Sequence, residues 1–220
     1  MWFDQHAPGG NAAAIASTGP GMLLLRLALM AALLAGPAPA RAAGEAEAVA
    51  RVTNFLTAAE AVMAGPGEDR AQDRVRELQY LYRDAFDMPA LAARTAPDEF
   101  WGAATDAQRA RFTAVLLCRL AVATVTRGGV EGGGSWEPVG TRARTGGMTV
   151  AVRFQLEHGG QRTALFDLAG DGAAARVVEV RSEAGRLSAR LAEEIRREAG
   201  EPGADTAAWL EGVRCVLRGR

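Results

Sequence analysis

The sequence predicts an α+β fold, with helices first, then a four-stranded antiparallel sheet, then helices again. Three observations carry this. From residue 45 to residue 126 apolar residues recur at the i, i+3, i+4, i+7 spacing of amphipathic helices. After the glycine-rich stretch GGVEGGGS (128–135) the period changes to two. From Leu187 onward helical spacing returns.

The first helix is expected over 45–64, with Val49, Val52, Phe55, Leu56, Ala59, Val62 and Met63 on one face; Gly65-Pro66-Gly67 stops it. The second, 69–86, carries Val75, Leu78, Leu81, Tyr82 and Phe86 as its stripe. Its other face (Arg70, Asp73, Arg74, Glu77, Arg83) is a solvated surface with local ion pairs. Asp87-Met88-Pro89 starts a short helix to Arg94, with Asp87 as N-cap and proline in the first turn. Pro97 opens a further short turn that presents Phe100 and Trp101. Thr105-Asp106-Ala107-Gln108 is a capping box for a helix to Thr126. That helix is apolar almost all round from Phe112 to Val125, the pattern of an element buried on most sides. Strands follow. A weak one covers 136–143. A half-buried one alternates Met148, Val150, Val152, Phe154 and Leu156 against polar neighbours. After the turn at His158-Gly159-Gly160 come 162–168 and 176–181. Helices at 187–199 and 205–217, the second capped by Asp205, complete the chain, and the strands form a meander.

Export is written at the N-terminus. Residues 22–42 combine Arg26, an apolar run from Leu27 to Ala35, two prolines and Ala40-Arg41-Ala42, the pattern of a cleavable signal peptide. The run is shorter than the ~20 residues a bilayer span needs, and no lipobox cysteine follows it. Residues 1–21 lack basic side chains and read as a mis-assigned leader ahead of a start at Met22, or else as a genuinely longer leader. The domain is then 43–220, exported and soluble after cleavage near Ala42, which points to the periplasm. All 25 basic side chains are arginine, against 26 acids. Without residues 1–42 the net charge is −2, which does not suit a nucleic-acid partner. Cys118 and Cys215 fall in separate helices; oxidising surroundings allow a bridge between them, and the alternative is burial as two small apolar residues, the common state of cysteine on an apolar helix face.

Catalytic constellations are missing. Gly-x-Ser-x-Gly does not occur, and no lysine is present for a Schiff base or a phosphate loop. The one histidine beyond the signal segment, His158, sits in a turn. It cannot make an ordinary zinc site with two distant cysteines. No catalytic residue, metal or cofactor is expected. Apolar surface is in surplus instead, and the candidate lipid-binding residues are Phe86, Leu91, Phe100, Trp101, Phe112, Leu116, Leu120, Val150, Val152, Phe154 and Leu156. They fit an ordinary core, or a gap between helices and sheet that takes acyl chains. Each buried CH₂ contributes ~0.8 kcal/mol, so such a gap needs no sharp motif. Arg119 interrupts the apolar helix. It is either salt-bridged or a cation at a pocket mouth.

The segment Phe86–Phe112 resembles the central helical block of the MlaC (toluene-tolerance) family of periplasmic phospholipid-binding proteins. Phe86-Asp87-Met88, Phe100-Trp101, Ala104-Thr105, Gln108-Arg109 and Phe112 carry the match. The hairpin 148–168 followed by Val177-Val178-Glu179-Val180 is similar to a second family segment. There Glu179 stands in place of the usual aspartate, and Ala175 or Arg176 at the tryptophan position. The resemblance marks a divergent member and implies a cone-like fold with an apolar cavity between helices and sheet. It implies a shuttle for phospholipid or another two-chain lipid, auxiliary to an ABC-type intermembrane transport system that maintains outer-membrane asymmetry. Its partners would be an inner-membrane ABC transporter complex and an outer-membrane lipoprotein complex. Two other functions stay in play: a cell-envelope adaptor whose pocket is filled by its own side chains, and a small α+β enzyme built around His158 or a carboxylate.

Overall fold

A computed structural model describes residues 38–65, 70–130, 134–156, 159–199 and 206–213. Helix α1 (Ala38–Ala64) starts earlier than the expected residue 45, because the alanine-rich run ahead of Glu45 propagates it. Its buried face is Ala48, Val52, Phe55, Leu56 and Ala59. Helix α2 (Ala71–Ala85) buries Val75, Leu78, Tyr82 and Ala85. Phe86 then turns extended and bridges Val177, and the Asp87 N–H donates to the Val177 carbonyl at 2.9 Å. That bridge ties the helical half to the sheet. Helix α3 (Met88–Thr95) follows at once. The Asp87 carboxylate accepts from Ala90 N–H at 2.9 Å and Pro89 sits in the first turn, as the spacing predicts.

Helix α4 (Asp98–Ala103) is short and leaves Phe100 and Trp101 half-buried. Helix α5 (Asp106–Arg127) opens with the expected capping box. Thr105 accepts from Gln108 N–H at 3.2 Å, and the Gln108 side chain accepts from Thr105 N–H at 2.8 Å. Gly128, at φ 79°, closes α5 in the left-handed conformation that glycine adopts without strain. Helix α5 packs on α2 and α3 and buries Phe112, Val115, Leu116, Leu117, Cys118, Leu120 and Ala121.

The sheet is antiparallel with order β1-β2-β3-β4-β5. Its strands are β1 (Ser135–Arg144), β2 (Gly147–Gln155), β3 (Gln161–Ala169), β4 (Arg176–Ser182) and β5 (Gly185–Arg186). The expected meander is present, with one more strand than expected; β5 spans two residues, too few to give a period in the sequence. Bulges interrupt β1 between Pro138 and Gly140 and the β3–β4 ladder beside Asp167. Helix α6 (Leu187–Ala199) lies against β4 and α3, and α7 (Thr206–Gly212) against α5.

One apolar core joins the helices to a single face of the sheet, through Val150, Val152, Phe154, Ala164, Phe166, Leu168, Val177 and Val180. Phe55, Tyr82 and Phe86 form a ring cluster with all three centroid separations at 5.2 Å. The Tyr82 hydroxyl lies 2.8 Å from Thr124 Oγ1, which gives that buried group a partner. Residues 1–37, the turn histidine His158, the cap Asp205 and Cys215 lie outside the described residues. Cys118 is disulfide-bonded.

Candidate functional site

An apolar-walled cavity of ≈ 290 Å³ opens at one end of the core. Its walls are Leu56, Glu60, Met63 and Ala64 from the last turns of α1, and Gly128, Gly129 and Val130 after α5. Gly134, Trp136 and Phe154 close it from the β1–β2 end. Trp136 and Phe154 are direct cross-strand partners, so their rings face the same side of the sheet. Glu60 supplies the charged side chain of the lining and is exposed at the rim. Gly134, at φ 87°, is pressed onto β2. A Cβ there would stand 1.9 Å from the Gln155 carbonyl oxygen, so glycine is required for β1 to enter the sheet at this wall.

The sequence-predicted lipid-binding residues divide differently. Phe86, Leu91, Phe112, Leu116, Leu120, Val150, Val152 and Phe154 are all buried in the common core. Phe100 and Trp101 pack half-buried on Phe112, with centroids at 5.6 and 6.1 Å. Leu156 is partly exposed at the end of β2. Of these residues Phe154 alone lines the cavity. The structure therefore brings the predicted set together as packing, and places the open space at its α1–β1 end.

Leu56, Glu60, Met63 and Trp136 line the cavity and were not among the predicted residues; positions 131–133 of the glycine run, expected as a flexible break, lie outside the described residues. Two signals were present. Trp136 is a large ring at the start of an otherwise small, polar strand. Gly128, Gly129 and Gly134 ahead of it put backbone rather than side chains in the wall.

Arg119 is not a cation at the cavity. Its guanidinium pairs with Glu198 on α6, Nη1 to Oε1 at 2.9 Å, and lies 5.5 Å from the Trp209 ring centroid on α7. The salt-bridged alternative holds, because burial in the α5–α6–α7 seam demands a counter-charge. Among the described residues no group of three or more His, Cys, Asp or Glu is placed to hold a metal, and no helix is long and apolar enough to cross a membrane.

No family model and no curated protein matches the chain. Among solved structures it is similar to the phospholipid-binding protein from Ralstonia solanacearum, determined in complex with a phospholipid. The identity is 14%, the TM-score 0.57, and the match covers 75% of this chain and 93% of that one. At that identity the likeness shows a shared fold: helices and an antiparallel sheet closed around one apolar core.

Proposed function

We propose that this protein binds lipid in the bacterial periplasm. We further propose that it carries a phospholipid or another two-chain lipid as an auxiliary component of an ABC-type intermembrane transport system. The observation that carries the reading is the apolar cavity at the α1–α5–β1 seam, in a fold shared with a protein solved in complex with phospholipid. The chemistry asked of the site is transfer of acyl chain out of water, at ~0.8 kcal/mol per methylene, and no bond is made or broken. A cavity of ≈ 290 Å³ stands at the low end of ligand pockets. Two chains therefore require a wall to yield.

The packed state of the predicted pocket residues favours a second reading, a cell-envelope adaptor that carries nothing. One experiment separates them. The full chain is collected from a bacterial periplasm, weighed by native mass spectrometry and extracted with organic solvent. A lipid-sized adduct that is lost in Met63→Trp, a half-buried position at the cavity wall, supports carriage. An apo mass with no uptake from labelled phospholipid vesicles leaves the adaptor.

A further inference from the structure

A second concavity, of ≈ 550 Å³, lies on the other side of the sheet. Register places it. Val150, Phe166 and Val180 are cross-strand neighbours on the core face. One position along each strand, before Val150 and Val180 and after Phe166, Thr149, Asp167 and Glu179 are neighbours in turn, with Arg142 opposite Thr149. Successive side chains point to opposite faces, so this row faces away from the core. Arg144, Arg181 and Arg186 stand on the same face, and Arg94 reaches in from α3.

Five guanidinium groups here meet two carboxylates, in a protein whose overall charge is −1. Both carboxylates are buried and already engaged. Asp167 takes a bidentate pair from Arg181 (Nε to Oδ2 at 2.8 Å, Nη2 to Oδ1 at 2.9 Å). It also takes the Thr149 hydroxyl at 2.7 Å and the Arg144 guanidinium at 3.2 Å. Burial pushes the Asp167 pKa up. The hydrogen bonds from Arg181 and Thr149 and the charges of Arg181 and Arg144 more than reverse that, so it ends below the ordinary aspartate value. Glu179 Oε1 accepts the N–H groups of Val180 at 3.0 Å and Ser188 at 3.2 Å, and Oε2 accepts the Ser188 hydroxyl. Arg94 donates to the Val178 carbonyl, which carries no compensating charge. Arg142 and Arg186 are exposed and have no ion-pair partner among the described residues.

We propose that this cleft binds a phosphate group, with Asp167 holding Arg144 and Arg181 in place and Arg94, Arg142 and Arg186 supplying the uncompensated charge. Guanidinium forks fixed by a buried carboxylate lose little entropy on meeting a tetrahedral anion, and gathering five like charges in one concavity raises the local positive potential. The site is separate from the apolar cavity: Trp136 and Arg142 are six residues apart on β1, roughly 20 Å at strand rise. It therefore serves a different molecule from any lipid seated beside Trp136, either the headgroup of an anionic lipid at a membrane surface or a free phosphate ester.

The test is calorimetric titration of the full chain with inorganic phosphate at low salt, repeated on the double variant Arg142→Gln/Arg186→Gln and on Arg153→Gln. Arg153 lies on the same face but is paired with Glu137. The expected result is saturable binding that weakens about ten-fold or more in the double variant and is unchanged in Arg153→Gln. Flotation with phosphatidylcholine vesicles, with and without phosphatidylglycerol, then separates the sources. Phosphatidylglycerol-dependent flotation that inorganic phosphate displaces assigns the headgroup, and phosphate binding without flotation assigns a free ester. No heat with phosphate, or equal binding by the double variant, overturns the proposal and turns the arginines into a face for an acidic protein. Circular dichroism of the double variant checks that it is folded; both arginines are exposed, so loss of structure is not expected.

Discussion

On the inner face of the sheet Val150, Phe166 and Val180 stand in one cross-strand row, buried in the core shared with the helices. One residue along each strand, Thr149, Asp167 and Glu179 make the matching row on the outer face, equally buried but covered by arginines. The same backbone ladders serve both rows, so the difference lies in what the side chains demand. The inner row needs only volume filled and water excluded, and many apolar combinations satisfy that. The outer row needs each lone pair matched by a donor at the right angle, and a missing donor leaves a charge buried without a partner. Inner stabilisation is insensitive to pH and salt. The outer row depends on an ionised Asp167 and on guanidinium groups that water and salt reach.

Truncating the inner row breaks the comparison most heavily. Phe166→Ala removes a fully buried ring from the middle of the core and should lower unfolding free energy by about 3–5 kcal/mol. The loss should be the same at pH 4 and pH 7, read by chemical denaturation. A pH-dependent loss would show that the two faces are coupled through the ladder.

Asp167→Asn tests the outer row and should cost about 2 kcal/mol at neutral pH, since it keeps the shape and removes the charge that three donors share. The folded pKa of Asp167 is below its unfolded value of 3.8. Its contribution is therefore complete above the unfolded value and fades as pH falls through the lower folded one. The gap between wild type and Asp167→Asn should be constant from neutral pH down to about pH 4 and close below it. A gap that persists in strong acid would mean that Asp167 acts by shape alone.

How far the sequence led follows the same division. Local devices were legible. Thr105 and Gln108 form the capping box their spacing announces, Asp87 caps α3, and the alternation through Val150, Val152 and Phe154 is the core face of β2. Each depends on residues a few positions apart. The outer row was not legible, because Arg142, Thr149, Asp167 and Glu179 come from four strands and meet only when register is fixed. The single acid inside the apolar run Leu165-Phe166-Asp167-Leu168 was the available hint: a buried charge implies partners from elsewhere. The cavity's lining overlaps the predicted set only at Phe154, for a related reason. Apolar periodicity identifies what is buried but not where packing is incomplete, and part of the wall is glycine backbone with no side chain to read.

The rim of the outer face supplies the smallest and sharpest contrast. Arg153 pairs with Glu137 across β1 and β2 at 3.0 Å, an ion pair chemically like those of Asp167 and one register step beyond Ala151. Both of its side chains are substantially exposed, at 43% and 63%, so water competes for each group and salt screens the pair. Arg153→Gln should therefore change stability by less than about 0.5 kcal/mol at low salt and by nothing measurable at high salt. Asp167→Asn, by contrast, should keep most of its effect when salt is raised. The two substitutions lie on one face of one sheet and remove charges of similar geometry, so burial is the variable that differs. Equal salt sensitivity would place Asp167 in water as well, and the outer row would then be a surface network that the five arginines decorate without enclosing.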